Sequence, residues 1–285
     1  DKQMGVSYVQ ANTLHGRRDS AFRAFLEPIL HRNNLHIMIN TKVTKILIDP
    51  HTKNTYGVEF VRNNKKYRVM SMREVILSSG AFHSPQILTL SGIGVKQDLE
   101  RIKVPLIHEL PVGRNMHDHI TFSELTFITN QTSIGFMTYI NSLLQFMQGK
   151  GLMTLPAGVE ALTFAKIPTK NSRGSDVPDI ELVFAPGSIH MDRGFGITLG
   201  GRMKREIYDA VYQPLEGTKL DTFLISIMLF HPKSTGHVET PDANPFSHPK
   251  IHANFFREDD DIEALLQGIK YVLKLVKMDP FKSLG

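Results

Sequence analysis

The stretch from Val75 to Gly94 constrains this chain more than any other. It places three β-favouring apolar residues, Val75-Ile76-Leu77, ahead of four with almost no side-chain bulk, Ser78-Ser79-Gly80-Ala81. The first three predict a buried strand. Small residues at the carboxyl end of a strand let a ligand come close to the backbone. Ser84 can accept a hydrogen bond from an early helical N–H, and Pro85 suits a first helical position, so a helix is predicted to start at Pro85. Ile87, Leu88 and Leu90 supply its buried side, Gly92 ends it in the left-handed conformation, and Ile93 covers the last turn. On these residues alone, an ordinary strand-turn-helix accounts for the stretch as well as a cofactor turn does.

Upstream, apolar residues from Ser20 to about Asn33 recur at helical spacing, with Pro28 expected to kink or restart that helix. Ile37-Met38-Ile39 and Val43 to Ile48 read as strands, Asp49 to Asn54 as a turn, and Tyr56 to Val61 and Tyr67 to Met70 as further strands. Taken alone, Val43 is a core strand valine. Beyond His119 the character changes. Thr121 to Thr129, Ala161 to Lys166, Ile180 to Ala185 and Thr222 to Phe230 read as long strands with long connections, and a polar helix is expected near Tyr139 to Gln148. That pattern predicts an antiparallel sheet with helices on one side. Ile262, Leu265, Leu266, Ile269, Val272, Leu273 and Val276 follow the 3.6-residue period of a final helix, with Asp259 to Asp261 at its start and Lys274 and Lys277 near its end.

Composition narrows the class. At 285 residues and 41% hydrophobic, the chain can bury one large core or two smaller ones. No apolar run reaches the ~18 residues that span a bilayer. The absence of cysteine excludes disulfides and thiolate metal sites within it. The net charge of +5 comes from scattered Lys and Arg, so nucleic acid is not an expected partner. Gly194-x-Gly196 with Gly200-Gly201 has the wrong spacing for a dinucleotide turn and reads as a mobile loop. His117-Asp118-His119 offers three ligand types, but consecutive extended residues face opposite ways, and no metal site is expected there.

The Val75–Gly94 stretch resembles the second signature of the glucose-methanol-choline (GMC) family of FAD-dependent oxidoreductases. The correspondence lies in Gly80-Ala81, Ser84-Pro85, Ile87-Leu88 and Ser91-Gly92-Ile93-Gly94. Further segments occur in family order: Gly16 to Ala21, Phe25 to Ile29, Val43 to Ile46, Gly57 to Phe60, Val112 to His119, His231 to Val238, and Pro249 to Phe256. The later ones are similar to the insect glucose-dehydrogenase-like branch.

The resemblance implies an α+β chain. Residues 1–118 would be part of an α/β FAD-binding domain, and residues 119–285 part of an antiparallel-sheet substrate-binding domain. It implies FAD as cofactor, with Val43 near the adenine and Ser79, Gly80 and Ala81 where the backbone approaches the flavin nucleotide. The family's glycine-rich pyrophosphate turn is not found, and its catalytic histidine with a histidine or asparagine partner is expected beyond residue 285. His231 then takes a structural or cavity-wall role. The chain is accordingly expected to be an internal fragment of a longer polypeptide, inactive alone. The implied activity is oxidation of an alcohol or sugar CH–OH group, with a quinone or oxygen as electron acceptor. A noncatalytic interaction module and a lyase on the same fold are the alternatives. Insect-like relatives are commonly secreted, and the sequon Asn130-Gln131-Thr132 fits an extracellular protein.

Overall fold

Alternation along two central strands organises the first of two units. In Asp221–Leu229, Phe223, Ile225, Ile227 and Leu229 point to one face and are buried, and Ile180 and Leu182 of the neighbouring Ile180–Pro186 join them there. The computed structural model describes residues 3–131, 136–154, 159–168, 176–187, 190, 193–194, 200–216 and 221–285. It separates into two units, neither a single stretch of chain: 1–31 with 119–231 and 259–285, and 32–118 with 232–258.

The first unit is a six-stranded antiparallel sheet. Its order is Gly5–Tyr8, Ala161–Ala165, Ile180–Pro186, Asp221–Leu229 and Thr126–Thr129, with Ile120–Phe122 also paired to Asp221–Leu229. The strand predicted over Thr121 to Thr129 is therefore two short strands flanking 123–125, both on the same neighbour. The helix Asp259–Leu275 covers the apolar face through Ala264, Leu265 and Val272. Gly268 allows this approach, since a Cβ there would lie 2.8 Å from Ile227 Cγ2. The buried stripe is narrower than predicted, and Ile262, Leu266 and Leu273 are exposed. Asp261, at the helix start, is buried instead.

The helix near Tyr139 exists as Phe136–Met147 but is not polar, exposing Ile140, Leu143, Leu144 and Met147. The segment after Ser20 is shorter than predicted. A five-residue π-type turn, Phe22–Leu26, leads into a 3₁₀ turn, Glu27–Ile29, with Pro28 restarting the backbone. Gly196, of the glycine-rich loop, lies outside the described residues.

The second unit is built on a three-stranded meander, Lys42–Ile48, Thr55–Arg62 and Lys65–Met70. The Asp49 turn closes its first hairpin, Asp49 Oδ1 accepting from the His51 and Thr52 N–H groups at 2.9 and 2.7 Å. The helix Gly80–Leu90 lies on Lys42–Ile48, Ile87 packing with Ile46 and Ile48. Ser91 fastens the two elements from within: its Oγ accepts from Ile46 N–H at 2.8 Å and donates to Ile87 O at 2.6 Å. Gly92 takes φ +90°, as predicted, and its carbonyl accepts from the Ile107 and His108 N–H groups. A parallel pair, Ile93–Gly94 with His108–Glu109, and the short helix Lys96–Arg101 follow.

Two predicted strands have no ladder partner among the described residues. Val75–Leu77 runs extended, with Val75 and Leu77 packed against the Ile46–Ile48–Ile87 cluster and Ile76 facing outward, 79% exposed. Ile37–Ile39 is likewise unpaired, and all three side chains are exposed. Apolar, β-branched sequence favours extended backbone, but a ladder needs a second strand's N–H and C=O groups.

Residues 232–258 complete the unit. Strand His237–Glu239 pairs with Lys250–His252, Met116 bridges Gly236, and Val238 N–H donates to Gly113 O at 2.7 Å. Gly113 has φ +75°, and a Cβ there would sit 2.3 Å from the Val238 carbonyl oxygen. Arg101 clasps the same segment, donating to Pro241 O at 2.8 Å and Thr240 O at 2.7 Å.

Candidate cofactor and substrate site

The Gly80–Leu90 helix starts five residues before Pro85, its predicted start, and this moves the predicted site onto a helix N-terminus. Ser84 does not cap a helix beginning at Pro85. Its Oγ accepts from the Ser79 N–H at 3.1 Å, tying the entry of the chain to the first turn. Pro85 sits inside the helix. Its missing N–H forfeits one backbone bond.

Gly80 has φ +83°, and a Cβ built on it meets nothing within 4 Å. Its glycine is therefore required by backbone conformation while the space beside it stays open. Ser78, Ser79, Gly80, Ala81 and Phe82 are all exposed. The first N–H groups of a helix lack intrahelical partners and carry the positive end of its dipole. An exposed, side-chain-poor helix start can accept the phosphate or ring carbonyl of a nucleotide cofactor. Among the residues predicted to hold cofactor, Ser79, Gly80 and Ala81 stand together here. Val43 lies on the strand that the same helix covers, half-buried, opposite Phe60 and beside a register shift between Val43 and Lys45.

Sequence reasoning missed a second feature, in the first unit. The sheet face opposite the Asp259–Leu275 helix carries Thr222, Ser226 and Glu181, all buried. Thr222 and Ser226 share this face four positions apart on one strand, and Glu181, opposite Met228, is diagonal to Ser226 and six positions along from Thr222. Burial raises the Glu181 carboxyl above its ordinary range, and the nearby His119 pulls it back in part. Of the two hydroxyls only that of Ser226 is near the Glu181 carboxyl, as a diagonal neighbour on this face, and a buried hydroxyl and carboxyl so placed are polar groups in an otherwise apolar sheet. The signal was present as Thr222-x-x-x-Ser226 within an otherwise apolar strand.

The tempting histidines fall in ordinary settings. His117 is exposed, its Nε2 3.1 Å from Asn115 Oδ1, while the His119 ring lies 4.4 Å from that of Phe230. His231 is exposed in a turn.

The GMC oxidoreductase family matches residues 1–121, the part that holds the helix start. Those residues belong to that family. It is 33% identical to glucose dehydrogenase [FAD, quinone] of Drosophila melanogaster over 99% of its own length and 42% of that protein. It is 30% identical to the mitochondrial choline dehydrogenase of Homo sapiens, over 99% of this chain and 44% of that protein. The chain thus spans less than half the length of these curated relatives. A formate oxidase from Aspergillus oryzae superposes with a TM-score of 0.80 at 22% identity, covering 98% of this chain and 50% of the oxidase. A fungal aryl-alcohol oxidase gives a TM-score of 0.74 at 18% identity over 100% of this chain and 52% of its own. Those two likenesses establish the fold.

Proposed function

We propose that the polypeptide carrying this chain is an FAD-dependent oxidoreductase acting on the CH–OH group of an alcohol or sugar. The observation that carries this reading is the exposed Ser79-Gly80-Ala81 helix start, held in the left-handed conformation at Gly80. The names of the relatives, glucose dehydrogenase [FAD, quinone] and choline dehydrogenase, support it. When bound, FAD supplies the acceptor for the hydride that leaves the alcohol carbon.

The hydroxyl proton would pass to the histidine base that the family resemblance implies outside this chain, and the residues of this chain would hold the cofactor. The helix start offers N–H donors to the cofactor's acceptor atoms, with no side chain in the way at Gly80. Val43 packs from the adjoining strand. A quinone or oxygen then removes the electrons.

Purified full-length polypeptide should be yellow, and anaerobic addition of glucose, choline or an aliphatic alcohol should bleach its flavin absorbance. Colourless protein, or flavin that none of these reduces, overturns the reading. Gly80→Val should lower flavin occupancy much more than folded yield, and full occupancy would show that Gly80 serves only the turn.

We also propose that the protein is extracellular. Asn130 of the sequon is exposed, which supports a glycan there; Thr132 lies outside the described residues. Full-length protein made in insect cells should reach the medium, and Asn130→Gln should remove one glycan's mass. Retention inside the cell overturns the assignment.

A further inference from the structure

Strands His237–Glu239 and Lys250–His252 bring together three side chains that the proposed oxidoreductase chemistry does not use. His237 and His252 are register partners, and their rings stack at 4.2 Å between centroids with planes 11° apart. Glu239, two residues beyond His237, lies on the same face of its strand. One ligand atom from each of the three falls within 4.8 Å of the others.

The donor atoms are arranged asymmetrically. Glu239 Oε1 is held by two cations, Arg101 at 3.3 Å and Lys250 at 3.6 Å. Its other oxygen, Oε2, faces His252 Nε2 at 3.8 Å, too long for a hydrogen bond. His252 Nε2 is buried and has no hydrogen-bond partner among the described residues. A buried ring nitrogen without a partner, beside a carboxylate oxygen and a second imidazole, is a polar group that calls for an explanation.

We propose that His237, Glu239 and His252 form a binding site for a divalent transition-metal ion of the zinc class. Two imidazoles and one carboxylate suit zinc better than magnesium or calcium, which prefer oxygen ligands. Zinc–ligand bonds of about 2.0–2.2 Å require the ligand atoms to draw in from their present spacing. The proposal therefore requires the two rings to turn out of their stack. Water completes the coordination.

Arg101 and Lys250 set the affinity. They oppose a cation electrostatically, yet both share a single oxygen and leave Oε2 to the metal. Arg101 is also anchored on Thr240 O and Pro241 O, so it orients the carboxylate as an outer partner does in metal sites. The ion would pin Lys250–His252 to His237–Glu239, and with them the connection 240–249. The proposed role is structural, independent of the cofactor.

The test uses the full chain stripped with a chelator and titrated calorimetrically with zinc chloride. The wild type should bind one equivalent, and zinc should raise its melting temperature. His252→Asn and His237→Asn should each weaken binding by more than the roughly 10–100-fold typical of losing an outer-shell partner. Glu239→Gln should weaken it as well, and His117→Asn should leave it unchanged. The two histidine variants serve as independent checks, each read only where its zinc-free melting temperature matches the wild type's. Crystals grown with zinc should give an anomalous peak within bonding distance of all three side chains. No binding by the wild type, unchanged binding in both histidine variants, or a peak elsewhere overturns the site.

Discussion

The strands around Ile227 and the extended segment around Ile76 are written in the same apolar, β-favouring residues, yet they end in opposite environments. Ile227 is fully buried between a paired neighbour and the Asp259–Leu275 helix, whereas Ile76 is 79% exposed on backbone with no ladder partner among the described residues. The difference lies in what surrounds each strand. Asp221–Leu229 finds three neighbours within its own unit, and Val75–Leu77 finds only a side-on cluster under Val75 and Leu77. Apolarity sets extended conformation and one buried face; a ladder depends on chain that supplies the complementary backbone.

The largest test of this contrast is a pair of truncations. Ile227→Ala should cost about 2–5 kcal/mol in denaturant unfolding of the full chain, the range for a buried isoleucine that leaves a cavity. Ile76→Ala should stay within about 0.5 kcal/mol, as an exposed substitution does. Equal losses at the two sites would show that Ile76 is covered in the whole protein, which breaks the comparison in an instructive way.

Two glycines sharpen it at the ends of the same helix. Gly92→Ala brings a Cβ to 2.6 Å from the Pro105 carbonyl oxygen, on a backbone held at φ +90°. A loss of about 2–4 kcal/mol is expected from strain and overpacking together. Gly80→Ala meets open space at φ +83° and should cost only about 1 kcal/mol, the conformational part alone. Thermal or chemical melts of both variants check the order. If Gly80→Ala were the worse, the space beside it would be filled in the whole protein.

The smallest expected effect is a pH dependence in the sheet. Burial raises the Glu181 carboxyl in the folded state, so the folded protein holds its proton more tightly than the unfolded chain does. Stability from this group is therefore full at acid pH and declines as pH rises from the ordinary glutamate range through the raised folded value. Glu181→Gln removes that decline. Its stability relative to wild type should increase from acid to neutral pH, measured by unfolding midpoints across that range. A difference that stays flat would show the carboxyl to be solvated.

Much of the fold was legible because its elements repeat a simple period. The meander from Val43 to Met70, three of the four long strands and the final helix lie where apolar spacing places them, while the fourth, over Thr121 to Thr129, is broken into two short strands. Failures came where a second element decides. Ser84 and Pro85 make a good helix start by local rules, but the helix runs back to Gly80, where the left-handed glycine sets the entry and Ser84 ties Ser79 to the first turn. Ile262, Leu266 and Leu273 keep helical spacing yet miss the stripe that the sheet covers, which Gly268 and Ala264 occupy through their small size. At the candidate site, Ser79, Gly80 and Ala81 were readable from a motif. The neighbouring of Glu181 and Ser226 in the other unit was not, because the two meet only through strand register. His237 and His252 share that difficulty, meeting only as register partners.

The clasp between Arg101 and the carbonyls of Thr240 and Pro241 joins residues up to 140 positions apart. Everything from His119 to His231 belongs to the other unit, so that long stretch must be synthesised before the clasp can close. During translation at about 5–20 residues per second, the meander and its helix wait several seconds for their last hairpin. Gly113, whose carbonyl accepts from Val238, waits with them. Local hairpins form first and the distant strand arrives late, across a long loop whose closure carries an entropic cost. The second unit thus waits on the synthesis of 119–231, and the first in turn receives its last segment, 259–285, only after the second has all of its chain.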